Sequence, residues 1–134
     1  MVGVWAGPPA TASTAAHGSV DVTVKDFSIK AARPTVRAGE VVLHLHNLGP
    51  STHEFNVDRT DLAADALPLQ SDGLTVNEDA PGLHRIDSVE QLDLGASADL
   101  TVKLKPGHYV LWCNLEGHYL GGMRYPLDVV ERRP

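Results

Sequence analysis

Apolar and polar side chains alternate one by one through several short segments of this 134-residue chain. Successive side chains of a strand point to opposite faces, so a period of two is typical of a strand with one buried face. The apolar members of the clearest segments are Val20, Val22 and Val24; Val41, Leu43 and Leu45; Leu100, Val102 and Leu104; and Tyr125, Leu127 and Val129. The pattern predicts an all-β protein with almost no helix.

Turn signals separate these segments and indicate the architecture. They stand at Pro34, Ala38-Gly39, residues 47–52 (NLGPST) and Pro106-Gly107. About seven or eight short strands divided by such turns are typical of an antiparallel β-sandwich. We expect Pro106-Gly107 to close a hairpin, and a β-bulge near Lys25 and Asp26 to bring Ile29 back to the inward face.

One long insertion interrupts the strand pattern over residues 61–82. Its first part, Asp61 to Leu67 (DLAADAL), predicts a short helix capped by Thr60 or Asp61, and the remainder is irregular. The fold class expected is therefore a β-sandwich with a loop or short-helix insertion.

The length of the chain fits one domain. Residues 1–18 contain no charged side chain and are rich in Ala, Gly, Thr and Pro. They lack the basic start of a secretory signal, so we interpret them as a flexible N-terminal lead-in before a domain at residues 19–134. Nowhere does an apolar run approach the ~20 residues of a membrane helix.

Negative charge dominates the chain and is concentrated in one segment. The formal net charge is −6, and no basic stripe is present, which argues against nucleic-acid binding. The segment from Glu54 to Asp93 contains ten acidic residues and only two basic ones, Arg59 and Arg85. This segment is either a solvated loop or a surface that steers a basic partner.

The stretch from Tyr109 to Tyr125 (YVLWCNLEGHYLGGMRY) carries three soft metal ligands. Cys113, the single cysteine, ends a strand; His118 follows after four residues and Met123 after four more. Alternation places Cys113 on the face that a sandwich buries. Thiolate and imidazole with a weak axial methionine is the coordination of electron-transfer copper.

Such a copper site requires a second imidazole, and His53 is the candidate. It begins a short strand after the Gly49-Pro50 loop and is followed by Phe55 and Val57 in alternation. Taken singly, a histidine, a methionine or a cysteine is more often a surface or packing residue. Their joint spacing favours a metal site.

The C-x4-H-x4-M loop, the upstream H-x-F and their strand-end placement make residues from about Val20 to Val130 similar to the cupredoxins, particularly those of rusticyanin and sulfocyanin type. The resemblance implies a Greek-key sandwich and one copper ion per chain that cycles between Cu(I) and Cu(II). The ligands it implies are His53, Cys113 and His118 in a trigonal plane and Met123 as a long axial contact. The function it implies is one-electron transfer through a mononuclear type 1 (blue) copper site, without enzymatic activity.

Two other functions stay open beside the carrier. A copper-binding delivery or storage protein of the cell envelope would expose its ligands for transfer, whereas Cys113 ends a core strand. An enzyme would need an open coordination position or a second metal cluster, and a thiol nucleophile would need an accessible, electropositive setting. The electron carrier is therefore favoured.

Residues beside the predicted ligands carry further hypotheses. Many cupredoxins have Asn or a small hydroxyl residue directly after the first histidine, where this chain has Glu54. Either Asn114 donates its amide to Glu54 and ties the two ligand loops together, or Glu54 points to solvent. Trp112 is expected on the outward face as a packing or rim residue. His44 and His46 are expected to face water, where the pair could bind an adventitious metal.

An apolar collar is predicted around the edge of His118, formed by Tyr119, Leu120, Gly121 and Gly122. We expect redox-partner proteins to dock there briefly, because rapid exchange suits a small interface. The protein is expected to be a monomer that associates with a membrane only through an N-terminal tether. From the resemblance to exported cupredoxins, the expected location is the periplasmic or extracellular side of the cell membrane.

Overall fold

A computed structural model of the protein describes residues 18–132, which form nine strands and one helical turn. The strands are β1 Ser19–Lys25, β2 Ser28–Ala31, β3 Thr35–Arg37, β4 Gly39–Asn47, β5 His53–Arg59, β6 His84–Leu92, β7 Ser97–Leu104, β8 Gly107–Trp112 and β9 Arg124–Val130, and the helical turn is α1 His118–Gly121. The lead-in predicted for residues 1–18 lies, apart from Gly18, outside the described residues and stays a prediction. None of the helical segments between residues 18 and 132 could cross a membrane.

Two mixed sheets pack face to face. The five-stranded sheet has the order β3-β9-β8-β5-β6, and the four-stranded sheet has the order β2-β1-β4-β7. Strand β1 runs parallel to β4 and β3 runs parallel to β9, while the other neighbours are antiparallel. The predicted all-β sandwich is confirmed, with nine strands in the described region and with two parallel pairs among the antiparallel ones.

The inward faces of the two sheets form the main core. Val20, Val22 and Val24 of β1 and Val41, Leu43 and Leu45 of β4 are buried as their alternation predicts, and Leu127 and Val129 of β9 face them from the other sheet. Burying one such side chain contributes about 1.5–3 kcal/mol. This core fixes the strand ends that support the predicted ligands.

Between Lys25 and Ser28 the chain makes a tight turn, and the predicted bulge is wrong. Strand β2 folds back antiparallel on β1, with Lys25 paired to Ser28. Phe27 has a φ of 65°, in the left-handed region that side-chain-bearing residues seldom adopt. The reversal explains the break in phase, because Ile29 belongs to a new strand whose inward residues start a new alternation.

The predicted hairpin at Pro106-Gly107 is also wrong. Strand β7 pairs with β4 in one sheet, whereas β8 pairs with β9 and β5 in the other. Both strands point apolar residues into the same core, including Leu104 and Leu111. The turn therefore carries the chain from one sheet to the other, which alternation alone cannot distinguish from a hairpin.

The insertion at residues 61–82 contains turns and bends, and the predicted helix is not formed. The Thr60 hydroxyl accepts a hydrogen bond from the Leu62 amide at 3.0 Å, and Asp72 accepts from the amides of Leu74 and Thr75. Such side-chain contacts with the neighbouring backbone compete with helix formation. The insertion packs on the outer face of β8 in a second buried cluster of Leu67, Val76, Ala80, Leu83, Val110, Trp112 and Tyr119.

Candidate metal centre

The four predicted ligands lie at one end of the sandwich. His53 is the first residue of β5, Cys113 follows the last residue of β8, His118 begins α1, and Met123 precedes β9. The Cys113 amide donates to the Met123 carbonyl at 3.2 Å, and the Met123 amide donates to the His118 carbonyl at 3.0 Å. These backbone bonds close the loop that carries three of the four residues.

Three donor atoms converge at this end. Nδ1 of His53 lies 3.2 Å from Nδ1 of His118, and that nitrogen lies 3.7 Å from Sγ of Cys113. One ligand atom from each of the three residues lies within 4.8 Å of the others. Two imidazole nitrogens and a sulfur in this arrangement fit a soft or borderline transition metal such as copper.

Met123 is the fourth predicted ligand. It is fully buried within the main core and is tied by its backbone to Cys113 and His118. The structure thus places the residue beside the other three, while coordination by its thioether stays a prediction.

Burial dominates the electrostatics of the predicted ligands. Burial raises the pKa of the Cys113 thiol, and the nearby carboxylates of Glu54 and Asp26 raise this pKa further. Hydrogen bonds from the Leu115 and Glu54 amides offset part of the increase. Burial also lowers the pKa of His53 below its usual value, although Asp26 opposes the shift. The site therefore favours a neutral imidazole, and its thiolate requires a bound cation for stabilisation.

The β1–β2 turn touches both histidines, a relationship that the sequence did not reveal. Oδ1 of Asp26 lies 2.9 Å from Nε2 of His53. The ring of Phe27 stands edge-on to that of His118, with centroids 5.7 Å apart. The only local signal in the sequence is the break in alternation after Lys25, which predicts a bulge rather than this turn.

Asp26 is held in place by the loop before β5. The Ser51 hydroxyl donates to Oδ2 at 2.9 Å, and the Ser51 amide donates to Oδ1 at 3.2 Å. Burial by itself would raise the pKa of Asp26, but the hydrogen bonds from Ser51 lower it, as does any positive charge on His53 or His118, and the net shift is downward. The carboxylate is thus the favoured form beside His53.

The predicted tie between Asn114 and Glu54 is wrong. The Asn114 amide donates to the Val76 carbonyl at 3.0 Å and to Glu78 at 2.8 Å, and its oxygen accepts from the Val76 amide at 2.7 Å. Glu54, half-buried, accepts instead from Asn56 at 3.1 Å. Asn114 therefore joins the ligand loop to the insertion rather than to the other ligand strand.

Trp112 is a packing residue, but it does not lie at a rim. It points outward from the sandwich as alternation predicts and is nevertheless fully buried, because the insertion covers that face of β8. Tyr119 is likewise buried under the insertion; its hydroxyl donates to the Ala64 carbonyl and accepts from the Leu67 amide. The predicted collar therefore lacks Tyr119.

The exposed apolar side chains beside His118 include Leu120 and Phe27. Leu120 is 45% exposed and Phe27 is 53% exposed, while His118 itself is half-buried. Phe27 contacts Gly121 so closely that a methyl group there would overlap its ring. Phe27, which was not among the residues predicted for the collar, thus forms part of this apolar surface.

His44 and His46 face outward from β4 as predicted. Nδ1 of His44 lies 2.7 Å from Asp99, and Nδ1 of His46 lies 3.0 Å from the Ser97 hydroxyl. Within residues 18–132, the only group of three or more His, Cys, Asp or Glu residues with converging ligand atoms is His53, Cys113 and His118.

Comparison with known proteins agrees with the fold. A family model described as a cupredoxin-like domain matches residues 1–123. No curated protein matches the chain.

Several solved structures are similar in fold. Dithionite-reduced auracyanin from Roseiflexus castenholzii has a TM-score of 0.60 at 20% identity, with 85% of this chain and 97% of that one covered. Auracyanin A, described as a "blue" copper protein from Chloroflexus aurantiacus, has a TM-score of 0.57 at 16% identity, with coverage of 84% and 100%. Reduced rusticyanin has a TM-score of 0.56 at 15% identity, with coverage of 84% and 79%.

Proposed function

This chain belongs to the family of cupredoxin-like domains, and on that basis we propose that it carries single electrons on one copper ion per chain, which cycles between Cu(I) and Cu(II). The observation that carries the proposal is the convergence of one ring nitrogen each of His53 and His118 and the Cys113 sulfur within 4.8 Å at a buried strand end. Met123 completes the proposed set as a weak axial ligand. The similarity to auracyanin A, named as a blue copper protein, agrees with this assignment.

The role of the protein is to fix the positions of the donor atoms. Copper, when bound, supplies a centre that gains and loses one electron. His53 begins β5, Cys113 directly follows β8 and Met123 directly precedes β9, so paired strands support each of them. Donors fixed in this way need little rearrangement between the two oxidation states.

His118 is the proposed route for electrons. His53 and Cys113 are fully buried, whereas His118 is half-buried beside the exposed side chains of Phe27 and Leu120. We propose that redox-partner proteins dock transiently on this small apolar surface and that the protein acts as a monomer.

The burial of the ligands favours a carrier over the alternatives. Copper delivery would require accessible donors, yet Cys113 and His53 have no exposed surface. The raised pKa of Cys113 and its burial also disfavour a thiol nucleophile. We therefore propose that the protein is not an enzyme.

The proposed location is outside the cytoplasm, on the periplasmic or extracellular side of the cell membrane, with any membrane association made by a tether at the N-terminus. The proposal rests on the likeness to exported cupredoxins. Fractionation of the cells that produce the protein tests it, because recovery in the cytoplasmic fraction alone would contradict export.

Titration of the metal-free protein with Cu(II) tests the site. We expect an intense thiolate-to-copper absorption band that saturates at one copper per chain, is bleached by ascorbate and returns on reoxidation. Absence of the band, or irreversible loss of the thiol, would overturn the carrier and favour delivery or storage.

Two variants distinguish copper binding at the proposed site from copper binding by the surface histidines. Cys113→Ser should remove the band while the fold remains. His46→Ala should leave it unchanged, because His46 lies on the outward face of β4 with its Nδ1 beside Ser97. A band that depends on His46 would place the copper elsewhere.

A further inference from the structure

The carboxylate of Asp26 lies against the buried edge of the His53 ring. Oδ1 of Asp26 is 2.9 Å from Nε2 of His53, while the other ring nitrogen, Nδ1, faces His118 at 3.2 Å. Nε2 is buried and makes no hydrogen bond of good geometry within residues 18–132, so the Asp26 contact is one between charged or polar groups at short distance. The side of His53 away from the metal centre is therefore occupied by a negative charge.

The position of this carboxylate is determined by two neighbouring backbone segments. Ser51 donates to both Asp26 oxygens, at 2.9 and 3.2 Å, and the Asp26 amide donates to the Gly49 carbonyl at 3.0 Å. The Asp26 side chain is 23% exposed and the His53 side chain is fully buried. The charge is thus held at a fixed distance and only partly screened by water.

No other predicted ligand has a carboxylate this close within residues 18–132. Ion pairs of histidines with carboxylates occur there at His44, His46, His53 and His108, and of these only His53 belongs to the metal centre. Glu54 and Glu78, which are also near, are turned toward Asn56 and Asn114. Of these three acidic residues, Asp26 is therefore the one whose carboxylate forms an ion pair with a predicted ligand.

We propose that Asp26 is a positioning residue of the copper site, which orients His53 with Nδ1 toward the metal and lowers the reduction potential through its charge. The inference rests on the proposed function. A carboxylate behind a metal-bound histidine fixes the ring and increases its basicity. A negative charge close to the metal favours Cu(II) over Cu(I), because the more highly charged ion gains more Coulomb energy.

Asp26→Asn removes the charge and keeps the shape. Wild type and variant are loaded with copper, their absorption spectra are recorded, and their potentials are measured by redox titration at pH 7. We expect the thiolate-to-copper band in both proteins. The affinity for Cu(II) relative to Cu(I) should fall about tenfold in the variant, which for a one-electron couple raises the potential by about 59 mV.

Asp87→Asn is the matched control, since it removes the same charge elsewhere. Asp87 pairs with Val57, four residues along β5 from His53, and its oxygen accepts from the Ser88 amide. Four strand residues span roughly 13 Å, beyond the Debye length of about 8 Å at physiological salt. This variant should change the affinity ratio less than twofold.

Ser51→Ala keeps the Asp26 charge but removes the hydroxyl that orients it. It should also raise the potential, because the carboxylate is then held less firmly beside His53. The affinity for Cu(II) relative to Cu(I) should fall about twofold to threefold. If Asp26→Asn fails to fold, this variant decides the question, and an unchanged potential would overturn the proposal.

The failures of the two proposals are distinguishable. Equal shifts in Asp26→Asn and Asp87→Asn, or a lowered potential in Asp26→Asn, would overturn the role of Asp26 while leaving the carrier intact. A wild-type protein without the thiolate band would overturn the carrier itself.

Discussion

The indole Nε1 of Trp112 donates a 2.9 Å hydrogen bond to Oδ1 of Asp58, and both residues are fully buried. The same oxygen accepts a 2.9 Å bond from Nε of Arg85, whose guanidinium also lies over the indole, 5.9 Å from its ring centroid. Trp112 directly precedes Cys113, so this cluster supports the end of β8 from outside the sandwich. The cluster therefore couples the packing of the insertion, which covers Trp112, to the strand that leads into Cys113.

Asp58→Asn should destabilise the protein by about 2 kcal/mol. Breaking a fully buried ion pair costs about 3–5 kcal/mol, and we expect less here because one third of the Arg85 side chain is exposed. Urea unfolding of the metal-free protein measures the change. Glu78→Gln is the control: Glu78 also pairs with Arg85 but is 43% exposed, so its loss should be under about 1 kcal/mol. Equal losses would mean that burial of Asp58 is not the deciding factor.

Asn114→Ala should remove one of the attachments between the insertion and the ligand loop. The variant leaves the Val76 amide and carbonyl without their side-chain partner, which costs about 1–3 kcal/mol. Hydrogen exchange should accelerate at the Val76 amide, which donates to Asn114 at 2.7 Å. The Gln70 amide, which donates to the Thr75 carbonyl at 2.8 Å, serves as the internal control. Unchanged protection at Val76 would contradict the anchoring role.

Met123→Leu tests the predicted axial ligand. Leucine nearly conserves the volume of this buried residue, so the unfolding free energy of the metal-free protein should fall by less than about 1.5 kcal/mol. The thiolate-to-copper band should persist, and the potential should rise, because loss of a weak donor destabilises Cu(II) more than Cu(I). A potential and a spectrum identical to wild type would remove Met123 from the ligand set.

Gly121→Ala should destabilise the protein through a clash with Phe27, whose Cδ1 atom an added methyl would overlap. Overpacking costs about 1–3 kcal/mol. In a Phe27→Ala background the same change should be neutral or stabilising, because alanine is favoured over glycine in a helix by about 1 kcal/mol. Urea unfolding of the four proteins measures the coupling. Equal effects of Gly121→Ala in both backgrounds would show that the contact is not limiting.

The titration of His108 should depend on Asp128. The hydrogen bond and the charge of Asp128, 2.7 Å away, raise the pKa of His108 above its ordinary value. The pair therefore stabilises the fold fully below the unfolded-state pKa of about 6.5, and this contribution is lost as the pH rises through the folded-state pKa. Proton NMR should detect a lower His108 pKa in Asp128→Asn. Asp87→Asn should leave it unchanged, and a shift there would indicate a general charge effect.

Much of the core was predictable because strand periodicity is local. Val22, Leu43 and Leu127 are buried as their alternation indicates, and the C-x4-H-x4-M spacing brought Cys113 and His118 together at a strand end. His53 lies far away in the chain, but its place at the start of a strand made it a candidate, and the structure brings it beside Cys113 and His118. A period of two follows from backbone geometry alone, so it can be seen in any short window of sequence.

Local patterns failed where the outcome depended on partners distant in the chain. The Pro106-Gly107 turn has the chemistry of a hairpin, but β7 and β8 pair in different sheets. Residues Asp61 to Leu67 have the composition of a capped helix, but polar side chains bond to the adjacent backbone and the segment packs over β8. Trp112 alternates outward and is still buried, because the insertion covers it.

By itself, the sequence determined the all-β class and the inward faces of the main strands, since both follow from short-range spacing, and it predicted the set of four metal ligands. Only the tertiary structure decided which strands share a sheet, what covers Trp112, and that Asp26 and Phe27 stand against His53 and His118. These contacts join segments whose pairing depends on the packing free energy of the whole sandwich, and no local window of the chain contains that information.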